Sequence, residues 1–129
     1  MSELETFYST FIAAVGRRDV AAISALIDPE FTIHYDSGLP FGGTYSGAEG
    51  FFTVLGRLSA SLTDLKTEQL NYMEDANGEQ YGLVIKLTAT TELTGRTVRT
   101  TVSELWTVRA GKAVEARVWF WGAAGLLGG

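Results

Sequence analysis

Apolar residues near the N-terminus recur at helical spacing. Leu4, Phe7, Tyr8, Phe11, Ile12 and Val15 follow one another on a single helical face. Ser2 and Glu5 stand at the spacing of a capping box, so a helix is predicted to start there, with Gly16 as its stop. Asp19 can cap a second helix carrying Val20, Ile23, Leu26 and Ile27. Asp28-Pro29 is expected to end it, because the residue before a proline avoids the α region. The period then changes to two. Residues 31–35 alternate and read as a strand, with Phe31, Ile33 and Tyr35 on one face. A glycine-rich loop follows. Ser46 and Glu49 repeat the capping-box spacing ahead of a third helix from near Ala48, whose apolar positions are Phe51, Phe52, Leu55, Leu58 and Leu62.

The remainder reads as strand and turn. Strands are predicted over 65–74, 80–93, 98–109 and 113–121. Asn77-Gly78, Thr94-Gly95 and Ala110-Gly111-Lys112 supply the turns between them. Successive hairpins make this part antiparallel. Helices followed by a meander predict an α+β fold, with one helical layer on one face of a curved sheet. A chain of 129 residues without repeat or linker is expected to form one domain over 1–129. The segment 122–129 is apolar and glycine-rich, suited to a covering segment or a frayed end.

Composition narrows the function. Hydrophobic residues make up 46% of the chain, enough for a sizeable core. A formal charge of -5 opposes nucleic acid and anionic membrane surfaces as partners. The absence of cysteine excludes disulfides, thiolate zinc sites and a cysteine nucleophile. With one histidine, a metal site would rest on carboxylates, and neither metal nor cofactor is expected. The first ten residues carry two glutamates and no basic residue, unlike a secretory signal. No apolar run is long enough to span a bilayer, and a cytoplasmic location is expected.

Glu104 carries the strongest chemical signal. Strand alternation puts it in a row with Val102, Trp106 and Val108. If that row faces the core, the carboxyl group is desolvated, its pKa rises, and the neutral acid can donate to a developing oxyanion. The alternative is a glutamate paired with Arg99, Arg109 or Arg117, or one on an exposed sheet face. In the last strand, Val114, Ala116, Val118 and Phe120 form an apolar row. Ala113, Glu115, Arg117, Trp119 and Trp121 form the other, and its tryptophans suggest a homodimer through the outer sheet face. His34 and Asp36 share a face and could serve as base and orienter, or as a solvated pair beside a turn. Tyr8, Tyr35 and Tyr45 could each donate to a substrate oxygen or fill the core. Gly42-Gly43 is not a phosphate loop, since no P-loop lysine follows.

Two stretches, LPFGGTYSGAEGFF at 39–52 and SELWTVRAGKAVEARVWFW at 103–121, resemble the SnoaL-like branch of the nuclear-transport-factor-2-like superfamily. Ketosteroid isomerases, polyketide cyclases, scytalone dehydratase and limonene epoxide hydrolase belong to it. The resemblance implies a cone-shaped α+β barrel, a deep apolar pocket between helices and sheet, and frequent homodimers. It also implies that Glu104 occupies the position of the isomerases' oxyanion-binding acid. The family's first-helix tyrosine falls on Phe11, one turn from Tyr8, and its general base falls on Tyr35, one position before Asp36. A late aspartate of many relatives falls on Trp121, and the Arg-Asp pairing of the epoxide hydrolase is not evident.

These observations together predict a cofactor-independent isomerase, cyclase, dehydratase or epoxide hydrolase acting on a small hydrophobic, oxygenated substrate. The catalytic candidates are Glu104, Asp36, His34 and Tyr35. The pocket candidates are Tyr8, Phe11, Phe41, Tyr45, Phe52, Leu55, Trp106, Val118 and Phe120, with Phe41 and Tyr45 at the rim. The alternative is a non-catalytic ligand-binding or dimeric accessory protein of the same fold. A weaker alternative is a protein-interaction module using Trp119 and Trp121.

Overall fold

The computed structural model describes residues 1–122. Helix α1 spans Glu3–Arg17, and both halves of its capping box form. Ser2 Oγ accepts from the Glu5 N–H at 3.0 Å, and the Glu5 carboxylate accepts from the Ser2 N–H at 3.3 Å. Such a cap stabilises a helix by about 1 kcal/mol. The stop is not Gly16 but Arg18, which takes the left-handed conformation (φ 56°) and donates its N–H back to Ala14 and Val15.

Helix α2 spans Val20–Ala25, capped by Asp19 Oδ1 on the Ala22 N–H at 3.1 Å. It ends earlier than its apolar spacing suggests. Ile27 already belongs to strand β1 (Ile27–Tyr35), and Pro29 lies inside that strand, within a register shift between Ile27 and Thr32. A proline, which cannot donate to a ladder, is accommodated at such an irregularity. Strand β2 (Gly43–Ser46) lies inside the expected loop and pairs antiparallel with β1. Helix α3 (Gly47–Ser61) starts as expected, but Ser46 makes no side-chain cap. Its backbone is held instead by the ladder, opposite Thr32.

Four strands follow: β3 (Leu62–Glu74), β4 (Gln80–Thr91), β5 (Thr97–Arg109) and β6 (Lys112–Phe120). Among the described residues, six strands form one sheet in the order β2-β1-β6-β5-β4-β3. All neighbours are antiparallel except β1 and β6, which run parallel. The helices cover one face. Phe11 of α1 meets Trp106 of β5 at 5.2 Å between ring centroids, and Phe51 of α3 at 5.4 Å. Trp106 also stacks on Tyr81 of β4 and on Phe31 of β1. One bulge corrects a face assignment. Thr107 opposes Glu115 but Val108 opposes Ala113, so Val114 is the extra residue and Ala113 turns into the core. No helix among the described residues is long and apolar enough to cross a membrane.

The loop after β1 is tightly wound. Asp36 Oδ1 accepts from the Gly38 N–H at 2.9 Å, and the Asp36 carbonyl accepts from the Leu39 N–H at 3.1 Å. The winding buries Leu39 and Phe41. It also brings Gly42 so close that a Cβ there would lie 2.0 Å from the Asp36 carbonyl oxygen. Backbone cannot yield as a flexible side chain can. Gly42→Ala is therefore expected to cost about 1–3 kcal/mol in urea unfolding, the range of overpacked sites. Gly38→Ala, with no such contact, should stay within about 0.5 kcal/mol of wild type. Equal midpoints for both variants would show that the loop relaxes freely.

Candidate functional site

Sheet register assembles the site. Tyr35 of β1, Val118 of β6, Glu104 of β5 and Leu83 of β4 form one row across the strands. Tyr35 and Glu104 are thus two strand spacings apart, roughly 9.5 Å between backbones. Both face a cavity of about 180 Å³ beneath α1 and α3. Its walls are apolar: Phe11 and Val15 from α1, Phe51, Leu55 and Leu58 from α3, and Val102, Trp106 and Phe120 from the sheet. Glu104 is the one carboxylate among the lining residues.

Glu104 is half-buried overall, and its side chain meets the cavity, not a cation. The Trp106 indole N–H donates to its Oε1 at 2.8 Å, a contact made possible because residues two apart on a strand share a face. Among the described residues its other oxygen accepts no hydrogen bond, and the group joins no ion pair. Arg117 bonds Glu115 at 3.2 Å, and Arg99 and Arg109 are exposed. Burial raises the Glu104 pKa above 4.5, and the Trp106 hydrogen bond opposes part of that rise.

Three tyrosines respond to the same surroundings. Burial pushes the hydroxyls of Tyr35, Tyr81 and Tyr8 upward, and the Glu104 charge adds to each shift. These phenols remain protonated, so they can donate but not act as bases. Tyr35 lines the cavity, and its hydroxyl makes no hydrogen bond among the described residues. Tyr8 does not line it. Its hydroxyl donates to Gln69 at 2.7 Å, and its ring packs on Tyr81 and Tyr72.

The other candidates are distributed unevenly. Phe11, Leu55, Trp106, Val118 and Phe120 line the cavity. Phe52 and Leu55 face an adjoining groove. Phe41 and Tyr45 differ from the expectation of a rim. Phe41 is buried behind the wall, against Tyr35 and Phe120. Tyr45 is also buried; its hydroxyl donates to the carbonyls of Phe41 and Gly42 and accepts from Arg57. Asp36 is exposed and occupied by the Gly38 N–H. His34 lies on the opposite face of the sheet. Its Nδ1 is 3.0 Å from Thr44 Oγ1, and its Nε2 is 3.7 Å from Glu115. The structure therefore brings Tyr35 to Glu104 but not Asp36 or His34. Among the described residues, no three His, Asp or Glu side chains converge as metal ligands do.

Val15, Phe51 and Leu58 also line the cavity, and each belongs to a helical stripe visible in the sequence. Thr67 was not distinguishable from other strand residues, because β3 carries two register shifts.

The arrangement sets a phenol and a carboxyl group with a raised pKa against one apolar space. Carbon NMR of labelled glutamate should place the Glu104 pKa above the ordinary carboxyl value. Trp106→Phe should raise it further, since the lost N–H donor favours the charged form. An unchanged or lowered value in the variant would remove Trp106 as the group that holds the acid.

The SnoaL-like domain family matches residues 8–116. Solved structures share the fold. An NTF2-like protein of unknown function from Burkholderia pseudomallei is 19% identical with a TM-score of 0.82, covering 98% of this chain and 97% of that one. An NTF2-like protein from Burkholderia thailandensis is 26% identical with a TM-score of 0.78, covering 93% and 91%. TerC, co-crystallised with polyporic acid, is 22% identical with a TM-score of 0.79, covering 96% and 95%. No curated protein matches the chain.

Proposed function

The chain belongs to the SnoaL-like domain family, and from that premise we propose that its cavity binds a small hydrophobic, oxygenated molecule and performs acid–base chemistry on it. The observation that carries this reading is Glu104: a carboxyl group without a counter-ion among the described residues, held by Trp106 against an apolar cavity. An acid kept neutral there can donate to a carbonyl, epoxide or hydroxyl oxygen. Tyr35 is the second donor. TerC, of similar fold, was co-crystallised with an organic molecule, which is consistent with a ligand in this one.

A single ionisable carboxyl suits reactions that return their proton. Glu104 would protonate the substrate oxygen, and the resulting carboxylate would remove a proton from a neighbouring carbon. The acid is regenerated and nothing is consumed. Isomerisation or cyclisation fits this balance better than hydrolysis, which needs a positioned water among apolar walls. Asp36 and His34 stand outside this scheme, since neither reaches the cavity.

Turnover of enones and polyketide-like ketones by the wild type and Glu104→Gln tests the reading. The variant should lose at least about 100-fold, the lower end of general acid–base contributions. Activity should fall as pH rises through the raised Glu104 pKa, because the neutral form is then lost. Unchanged turnover in the variant sinks the catalytic reading. A second reading, a non-catalytic binding protein, is favoured by the lack of a second ionising carboxylate or histidine in the cavity. Saturable binding that survives Glu104→Gln without chemistry would select it.

We also propose a homodimer through the outer sheet face. Trp119 and Trp121 are 48% and 57% exposed, and the Trp121 indole donates to Ser103 Oγ on that face at 2.9 Å. Trp119→Glu should shift the sedimentation mass from dimer to monomer. A wild type that sediments as a monomer at micromolar concentration would reject the dimer.

A further inference from the structure

The cavity under Glu104 is small for a ligand site. Its volume of about 180 Å³ is close to the roughly 150 Å³ that holds one benzene ring, and below the roughly 300 Å³ where ligand pockets begin. It shares a wall with a larger space. Val15, Leu55, Leu58, Leu62 and Leu65 line it and also line a groove of about 580 Å³ between α1, α2, α3 and the start of β3. Together the two fall within the ligand-pocket range.

The groove has a chemistry of its own. Val20, Ile23, Phe52 and Leu65 make it apolar, with Val20 and Leu65 more than half exposed. Its one charged lining residue is Arg18, exposed and in no ion pair among the described residues. On α3, Phe52, Gly56 and Ser59 form a stripe facing the groove, beside the Phe51 and Leu58 stripe that faces the cavity.

Gly56 is the telling position. A glycine in a helix interior is less stable than alanine and normally answers a need for space or for an unusual backbone. Gly50, on the same helix, has such a need: a Cβ there would lie 2.9 Å from the Tyr45 backbone. Gly56 has none, for its φ is not positive and a Cβ would meet nothing within 4 Å. What its missing side chain leaves open is the groove.

We propose that the groove is the second half of the ligand site. Resting on the reading of Glu104 above, it assigns the substrate class: an oxygenated ring at the cavity, an apolar chain along the groove, and an anionic group at Arg18. The chain crosses from one space to the other between Leu55 and Leu65.

Three probes test this by ¹H–¹⁵N correlation spectra: phenol, 4-hexylphenol and 6-(4-hydroxyphenyl)hexanoate. The Trp106 indole N–H reports the cavity, and the Gly56 and Ser59 amides report the groove. Phenol should move the indole signal alone. The hexyl compound should move both sets and bind at least tenfold more tightly. Gly56→Phe should abolish that gain and leave phenol affinity unchanged. The carboxylate should bind more tightly than its methyl ester, and Arg18→Gln should equalise them. An indole signal that moves while the groove amides stay still overturns the groove and spares the Glu104 site. An indole signal that never moves overturns both. Groove amides that shift with protein concentration alone would assign the face to a second copy and overturn the ligand assignment.

Discussion

Strands β2 and β3 are opposite edges of the sheet, and α3 is the only segment between them. That helix must therefore cross the covered face from one edge to the other. The cavity lies under this crossing: α3 and α1 line one side of it, and β1, β3, β4, β5 and β6 line the other.

The crossing also explains the electrostatics. A strand facing a filled core would reject an unpaired carboxyl group, because burying a charge without a partner is costly. Here the acid meets an unfilled apolar space and a single indole donor. It can avoid the cost by holding its proton, which is the state that makes it a donor. The same burial raises the pKa of Tyr35, Tyr81 and Tyr8 and so keeps these phenols protonated. The loop after β1 contributes from outside, by seating Phe41 behind Tyr35 and Phe120.

Much of this was legible along the chain. The capping box at Ser2, the Asp19 cap and the hairpin turns are local signals, and local hydrogen bonds realise them. The inward row of Val102, Glu104, Trp106 and Val108 follows from a period of two and survives because β5 is regular through Thr107. Local signals failed where a neighbouring strand intervened. β2 was hidden in a glycine-rich stretch because its order comes from pairing with β1. Ala113 changed face because of a bulge that no side chain announces. Asp36 and His34 looked chemically apt, yet one is held by its own turn and the other points away from the helices.

The sequence by itself determined the α+β class, the helix starts, the turns and the choice of Glu104 as the acid to watch. Period, capping and turn chemistry act over a few residues and need no knowledge of what lies opposite. Tertiary structure alone decided that Tyr35 shares one cavity with Glu104. It also joined β1 to β6, and it set the cavity beside the groove that Gly56 lines. Those outcomes depend on strand register and on the path of one helix across the sheet, which bring together residues about seventy positions apart in the chain, a spacing for which local periodicity carries no signal.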